Sequence, residues 1–178
     1  MKKLISLLSV SFLFFACNKD NDAVKYDFSD ITETNAIGEY IGNVDESDWR
    51  TDDNWNSAEN GLFGLSSASV IDSQIMTTDK DNVPVNPIAE DQVYPAYPNP
   101  STGIFNIYFS TTAEEIEIVI VNTSLDIQYK NEFQTHGSII LSFSFDGYEV
   151  NHYYRIYYLL KFNDSIVKKG HGDIMYTE

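Results

Sequence analysis

The chain has 178 residues and a single cysteine, Cys17, so no disulfide can form within it. Basic residues are scarce: 11 Lys and Arg stand against 27 Asp and Glu, a formal net charge of −16 at pH 7. That balance opposes binding to nucleic acid or to anionic lipid surfaces and favours a solvated surface that repels its own copies. Histidine is scarcer still. His136, His152 and His171 are the only imidazoles, and His171 with Asp173 falls short of the three or four converging ligands that zinc requires. No G-x-S-x-G elbow is present, and no Gly-rich phosphate loop. The expectation from these gaps is a protein without catalysis, cofactor or metal.

Proline is also sparse, with five residues, and three of them (95, 98 and 100) crowd into one stretch, VYPAYPNPSTGIFNIYF, from Val93 to Phe109. Each fixes φ near −65° and pushes the residue before it towards extended geometry, so Tyr94, Tyr97 and Asn99 cannot continue a helix. Ser101, Thr102 and Gly103 supply turn chemistry, with positive φ expected at Gly103. In the strand that follows, Phe105, Ile107 and Phe109 share one face. Beyond it, strands recur at short intervals. Ile116, Ile118 and Ile120 form one face of Glu115 to Val121. In Ile127 to Phe133, Ile127, Tyr129 and Phe133 are expected to face inwards. Ile139, Leu141, Phe143 and Phe145 follow at period 2, and Asp146-Gly147 is a turn pair. The longest strand is expected at about Tyr153 to Phe162, followed by Ser165 to Lys169. Gly170-His171-Gly172 reads as a break before a last strand, Asp173 to Tyr176. About seven short strands predict an all-β, antiparallel sandwich with one core, over residues 92–178.

The Tyr97-Pro98-Asn99-Pro100 motif, its small-polar-Gly turn ending in Gly103, and the Phe105-Asn106-Ile107 strand together resemble the start of a known domain. It is the C-terminal sorting domain of type IX secretion cargo in Bacteroidetes. The resemblance covers Val93 to Glu178 and implies an immunoglobulin-like sandwich, with Tyr97, Pro98, Asn99, Pro100 and Gly103 as its sorting motif and the secretion machinery as its partner. Leu125 stands where members usually carry Gly, and the Pro-x-Gly-x-Tyr turn common near their ends is absent.

The N-terminus carries a second address. Lys2-Lys3 form a positive n-region, Leu4 to Phe15 an apolar h-region, and Ala16 a small residue at the cleavage position. This run is shorter than the roughly 20 apolar residues that span a bilayer. Leu13-Phe14-Phe15-Ala16-Cys17 resembles a bacterial lipobox, which implies residues 1–16 as a lipoprotein signal peptide and Cys17 as an acylated membrane anchor. Loss of Lys2 and Lys3 takes the net charge from −16 to −18. The polar run Asn18 to Asp22 resembles the surface-export tether of Bacteroidetes lipoproteins, or is simply a spacer.

Residues 17–91 read as an acidic, largely irregular region and linker; 18–91 hold 17 acidic and 4 basic side chains. Ser57 could open a short helix, although Gly61 and Gly64 favour an irregular element. Asp45, Glu46, Asp48, Asp52 and Asp53 lack the spacing and turn glycine of a calcium loop and read as a solvated segment. Trp49 and Trp55 are expected to dock this segment onto the sandwich, since exposed indoles would leave a large apolar area in water. One binding face is a candidate. Period 2 sends Tyr154, Ile156, Tyr158 and Leu160 to the core and leaves Tyr153, Arg155 and Tyr157 on the other side. There they form either an aromatic platform for sugar or protein, or ordinary cross-strand stacking on an exposed face, the favoured option. Lys168 and Lys169 resemble the basic residues that end family members, or act as edge-strand charges. The functional expectation is a non-catalytic cell-envelope lipoprotein at the outer membrane or cell surface. Its alternatives are secreted type IX cargo and a glycan- or protein-binding module.

Overall fold

The computed structural model describes Tyr26, Phe28 and residues 30–52, 54–65 and 91–178. Cys17 and residues 66–90 lie outside the described residues, as does Asp53. The elements run β1 (Arg50–Thr51), α1 (Ser57–Leu62), β2 (Gln92–Val93), β3 (Ile104–Ser110), β4 (Glu115–Val121), β5 (Ile127–Gln134), β6 (Ile139–Ser144), β7 (His152–Phe162) and β8 (Ser165–Tyr176). They form two sheets, one of five strands in the order β1-β8-β7-β4-β5 and one of three in the order β2-β3-β6. All pairings between these strands are antiparallel. The fold is an all-β sandwich.

The period-2 faces read from the sequence meet between the sheets. Phe105, Ile107 and Phe109 of β3 and Leu141 and Phe143 of β6 pack against Ile116, Ile118 and Ile120 of β4. Tyr154, Ile156, Tyr158 and Leu160 of β7 join the same cluster. The two central strands β4 and β7 are also buried on their outer faces. Val119, Val121, Tyr157 and Leu159 form a second cluster with Trp55, Leu62 and Phe63, so α1 and its flanks roof the five-stranded sheet. This explains why EIEIVIV is apolar at nearly every position: a strand covered on both faces loses the polar half of its alternation. The helix itself forms because Asn56 caps it and Glu59 reaches back to the cap in a capping box. It ends where Gly64 takes φ of 70°.

Several local expectations are corrected. Gly170-His171-Gly172 is no break: β8 runs through it as one strand of 12 residues. Glycine is needed there for close approach. A Cβ on Gly172 would lie 2.2 Å from the Trp49 ring, and one on Gly170 would lie 2.1 Å from the Arg50 carbonyl oxygen. Gly103 does not take positive φ, and open space surrounds it. Leu125 does, with φ of 63°. Ile127 is exposed because the register shifts between Ile120 and Val121. The shift pairs Ile127 with Val121 on the outer face, while Tyr129 and Phe133 still pack on the core. Two additional strands, β1 and β2, are only two residues long and were not separable from loops by pattern.

Candidate functional site

The site with the densest polar chemistry is the seam between β8 and the described residues of 26–65, here termed the strap. β8 pairs with β7 on one side; its other side would be an open sheet edge. From Lys169 onwards that edge is sealed. Asp52 N–H donates to the Lys169 carbonyl at 3.0 Å and Trp49 N–H to the His171 carbonyl at 2.9 Å, with β1 pairing between them. Asp173 N–H donates to Asp48 Oδ1. Next along the edge, the Asn99 carboxamide replaces a strand. Its Nδ2 donates to the Asp173 carbonyl at 2.9 Å, and its Oδ1 accepts Met175 N–H at 3.1 Å. Ser101 N–H donates to the Met175 carbonyl at 2.9 Å, and Thr177 N–H donates to the Ser101 carbonyl at 2.9 Å. The Pro residues on either side of Asn99 supply no competing N–H.

Asn99 also ties the strap in. Its Nδ2 donates to the Thr32 carbonyl at 3.0 Å, and its backbone exchanges two hydrogen bonds with Thr34. It is fully buried, as is Ser101. Asn99 and Ser101 thus join the strap, the entry to β3 and the last strand at one point.

On the outer face beside this edge lies a cluster of ionisable groups. Arg155 makes a bidentate pair with Asp173, Nε to Oδ1 and Nη2 to Oδ2 both at 2.7 Å. Its guanidinium is 4.4 Å from the Phe28 ring centroid. Burial works against the Arg155 charge, but the bonded Asp173 carboxylate outweighs it and the pKa is raised. Asp48 accepts a second backbone bond, from Thr32 N–H at 3.1 Å. Burial, and then the negative charge of Asp173, push the Asp48 carboxyl up to about 7. His171 Nδ1 lies 3.3 Å from Asp52 Oδ2. Burial foremost, and the nearby Arg155 charge, hold its imidazole down at about 4. Tyr157 donates its hydroxyl to Glu59 Oε1 at 2.9 Å, and burial raises its pKa far above the ordinary phenol value.

The chain matches no family model, no curated protein and no solved structure.

The expected binding face does not exist as a platform. Tyr157 is fully buried beneath Trp55, with ring centroids 5.3 Å apart, and Arg155 is spent on Asp173 and Phe28. Tyr153 is half-buried. The favoured alternative, cross-strand stacking on an exposed face, is corrected too, because the strap covers that face. The docking expected of the two tryptophans is what the strap does: both indoles are buried. Lys169 lies over the Trp55 ring at 4.9 Å, and Lys168 bonds the Asp91 carbonyl. The acidic segment is divided among separate tasks. Asp45 caps Ser47, Asp52 caps Asn54, and Asp48 enters the seam. Among the described residues, no three of His, Cys, Asp or Glu gather as a metal would need. Chemically, the seam holds a covalently continuous strap onto a sheet edge through ionisable hydrogen bonds. Sequence reading missed Asn99 as a strand substitute and Asp48 as a buried carboxylate. Their only signal was a polar residue between two prolines and an acid next to a docking Trp.

Proposed function

We propose that the chain is a non-catalytic cell-envelope lipoprotein. It would be anchored through acylated Cys17 at the outer membrane or cell surface and use its sandwich for docking or recognition. The observation that carries this reading is the position of its one cysteine, directly after Ala16 at the end of the apolar run behind Lys2-Lys3. One acyl chain anchors marginally, whereas the two or three of a mature lipoprotein make a stable attachment. Relation to the type IX sorting domain is part of the proposal. Its support is the sandwich fold and the turn after β4, where Leu125 takes the left-handed conformation that a glycine would favour.

The second reading is secreted type IX cargo, in which 92–178 is the export signal and the preceding part the passenger. The seam weighs against it. A passenger separable from its signal would not supply the cover of β8 and the roof over Tyr157 and Leu159.

 A fragment beginning at residue 92 would leave Val119, Val121, Tyr157 and Leu159 open to water. The third reading, a glycan or protein module built on Tyr153, Arg155 and Tyr157, loses its platform to the buried Tyr157.

The intact mass of the mature protein from its native cells tests the proposal. A chain that starts at Cys17, carries acyl mass and ends at Glu178 is the expected result. A chain without lipid that stops near residue 91 would overturn it in favour of released cargo.

A further inference from the structure

Between Lys25 and Arg50 the chain has no basic residue, yet four of the exposed large apolar side chains among the described residues gather there. Ile37 is 75% exposed, Tyr40 59%, Ile41 63% and Val44 52%, all within eight consecutive positions. This is a held conformation. Asn35 Oδ1 accepts the N–H groups of Ile37 and Glu39, both at 3.0 Å, and Asn35 N–H donates to the Glu39 carbonyl at 3.0 Å. Ile41 N–H donates to the Glu33 carbonyl and Glu33 N–H to the Asn43 carbonyl, at 3.1 and 2.8 Å. Gly38, with φ of 83°, sits against the Tyr97 ring. The loop's acids bond to this framework, Glu33 half-buried and Glu39 exposed. Glu33 Oε2 accepts Asn43 N–H at 3.0 Å, and Glu39 Oε2 accepts Asn35 Nδ2 at 2.9 Å. The fold therefore spends hydrogen bonds on holding an apolar tip in water, a pattern that marks an interaction surface.

The length of chain before the described residues indicates what covers it. Nine residue steps separate Cys17 from Tyr26, a reach of at most about 32 Å. We propose that the 35–44 loop inserts Ile37, Tyr40, Ile41 and Val44 into the surface of the bilayer that holds Cys17, an inference that rests on the lipoprotein reading. Two aliphatic anchors, a Val and a Tyr suit the boundary between acyl chains and headgroups, where tyrosine is enriched. With no basic residue in the loop and a net charge of −18 once Lys2 and Lys3 are lost, the contact is apolar insertion into neutral lipid. Added salt does not release it, and anionic lipid weakens it. The insertion fixes the sandwich close to the membrane instead of letting it swing on its tether.

The test uses the full acylated protein in vesicles of phosphatidylethanolamine and phosphatidylcholine. Acylation occupies the Cys17 sulfur, so Ile41→Cys provides the one free thiol for an environment-sensitive NBD label; Val167→Cys on β8 provides the control. Quenching of the label at 41 by nitroxide lipids, without quenching at 167, is the expected result. Absence of quenching at 41, or equal quenching at both positions, overturns the inference while the anchor stands. Intact mass taken before labelling reads the anchor separately. If no acyl mass is present, the label is placed at 41 in a Cys17→Ser chain and vesicles are added in solution. A blue shift then supports the loop contact and its absence overturns it. In an unlabelled Cys17→Ser chain, Ile37→Ser with Ile41→Ser lowers vesicle partitioning by roughly tenfold or more, the loss expected from two apolar side chains, and unchanged partitioning overturns the inference.

Discussion

Asn99 does with one side chain what a strand does with a peptide group: it offers a donor and an acceptor to the same edge. Replacing it by alanine leaves the Asp173 and Thr32 carbonyls and the Met175 N–H without their partner. Each buried polar group left unpaired costs about 1–3 kcal/mol, so Asn99→Ala is expected to destabilise the fold by about 2–5 kcal/mol, read as a lower urea midpoint. Glycines provide a second contrast at this scale. Gly172→Ala places a methyl 2.2 Å from the Trp49 ring, so the indole must leave its site and tryptophan emission should shift to the red. Gly103→Ala meets nothing within 4 Å and φ there is not positive; its emission and urea midpoint should stay near those of the parent protein. The sequence alone suggested the opposite ranking, with Gly103 as the conformationally demanding position. It cannot show that Gly172, 123 positions after Trp49 along the chain, faces that ring.

The strap is an element with almost no regular structure, held by groups that titrate. His171 has an ordinary value of 6.5 and lies at about 4 in the folded protein. The unfolded chain takes up that proton first, so the stability His171 contributes is complete above about pH 6.5 and is lost as pH falls towards 4. Asp48 works in the other direction, raised from 3.8 to about 7. Here the folded state holds the proton longer, and the contribution is complete below pH 3.8 and lost as pH rises through 7. The two slopes oppose one another between pH 4 and 6.5. Asp48→Asn removes the falling limb, so its urea midpoint should rise with pH across that interval more steeply than the parent's. His171→Gln removes the rising limb, and its midpoint should fall relative to the parent's. Because Asp48 accepts two backbone N–H groups, Asn at that position also lowers stability at every pH; the slope, not the offset, is the readout. Among the strands, legibility followed periodicity. β3, β4, β6 and β7 were readable because one face of each alternates with a period of two. The continuity of β8 was not, since a Gly-His-Gly run signals a turn unless something packs into the space left by the missing side chains.

At the scale of the molecule, the strap and the sandwich form one packed body around two apolar clusters. A fragment of residues 92–178 lacks the roof formed by Trp55, Leu62 and Phe63 and the cover of β8 from Asp48 to Asp52. It should bind a hydrophobic dye and self-associate, and adding a peptide of residues 26–65 should suppress both. A fragment that stays monomeric and dye-free would show that the seam is dispensable. The expected boundary near residue 91 was read from composition, because the acidic, proline-containing stretch ahead of it lacks periodicity. Composition reports whether a segment can build a core of its own; it does not report whether the segment covers the core of another.

The sequence by itself determined the class of fold, since alternating apolar residues separated by turn signals bury one face only as packed sheets. It also determined the docking of Trp49 and Trp55, because indoles of that size leave water wherever a partner surface exists. Tertiary structure decided the rest of the seam. Whether Tyr157 faces solvent or a roof, whether Asp48 is a surface acid or a buried acceptor, and whether Asn99 is a loop residue or a strand's substitute all depend on partners far along the chain. Asp48 meets Asp173 and Asn99 meets Met175 across separations of 125 and 76 residues. Local pattern records the period of a strand; contacts of that length are set by how the sheets and the strap close on one another.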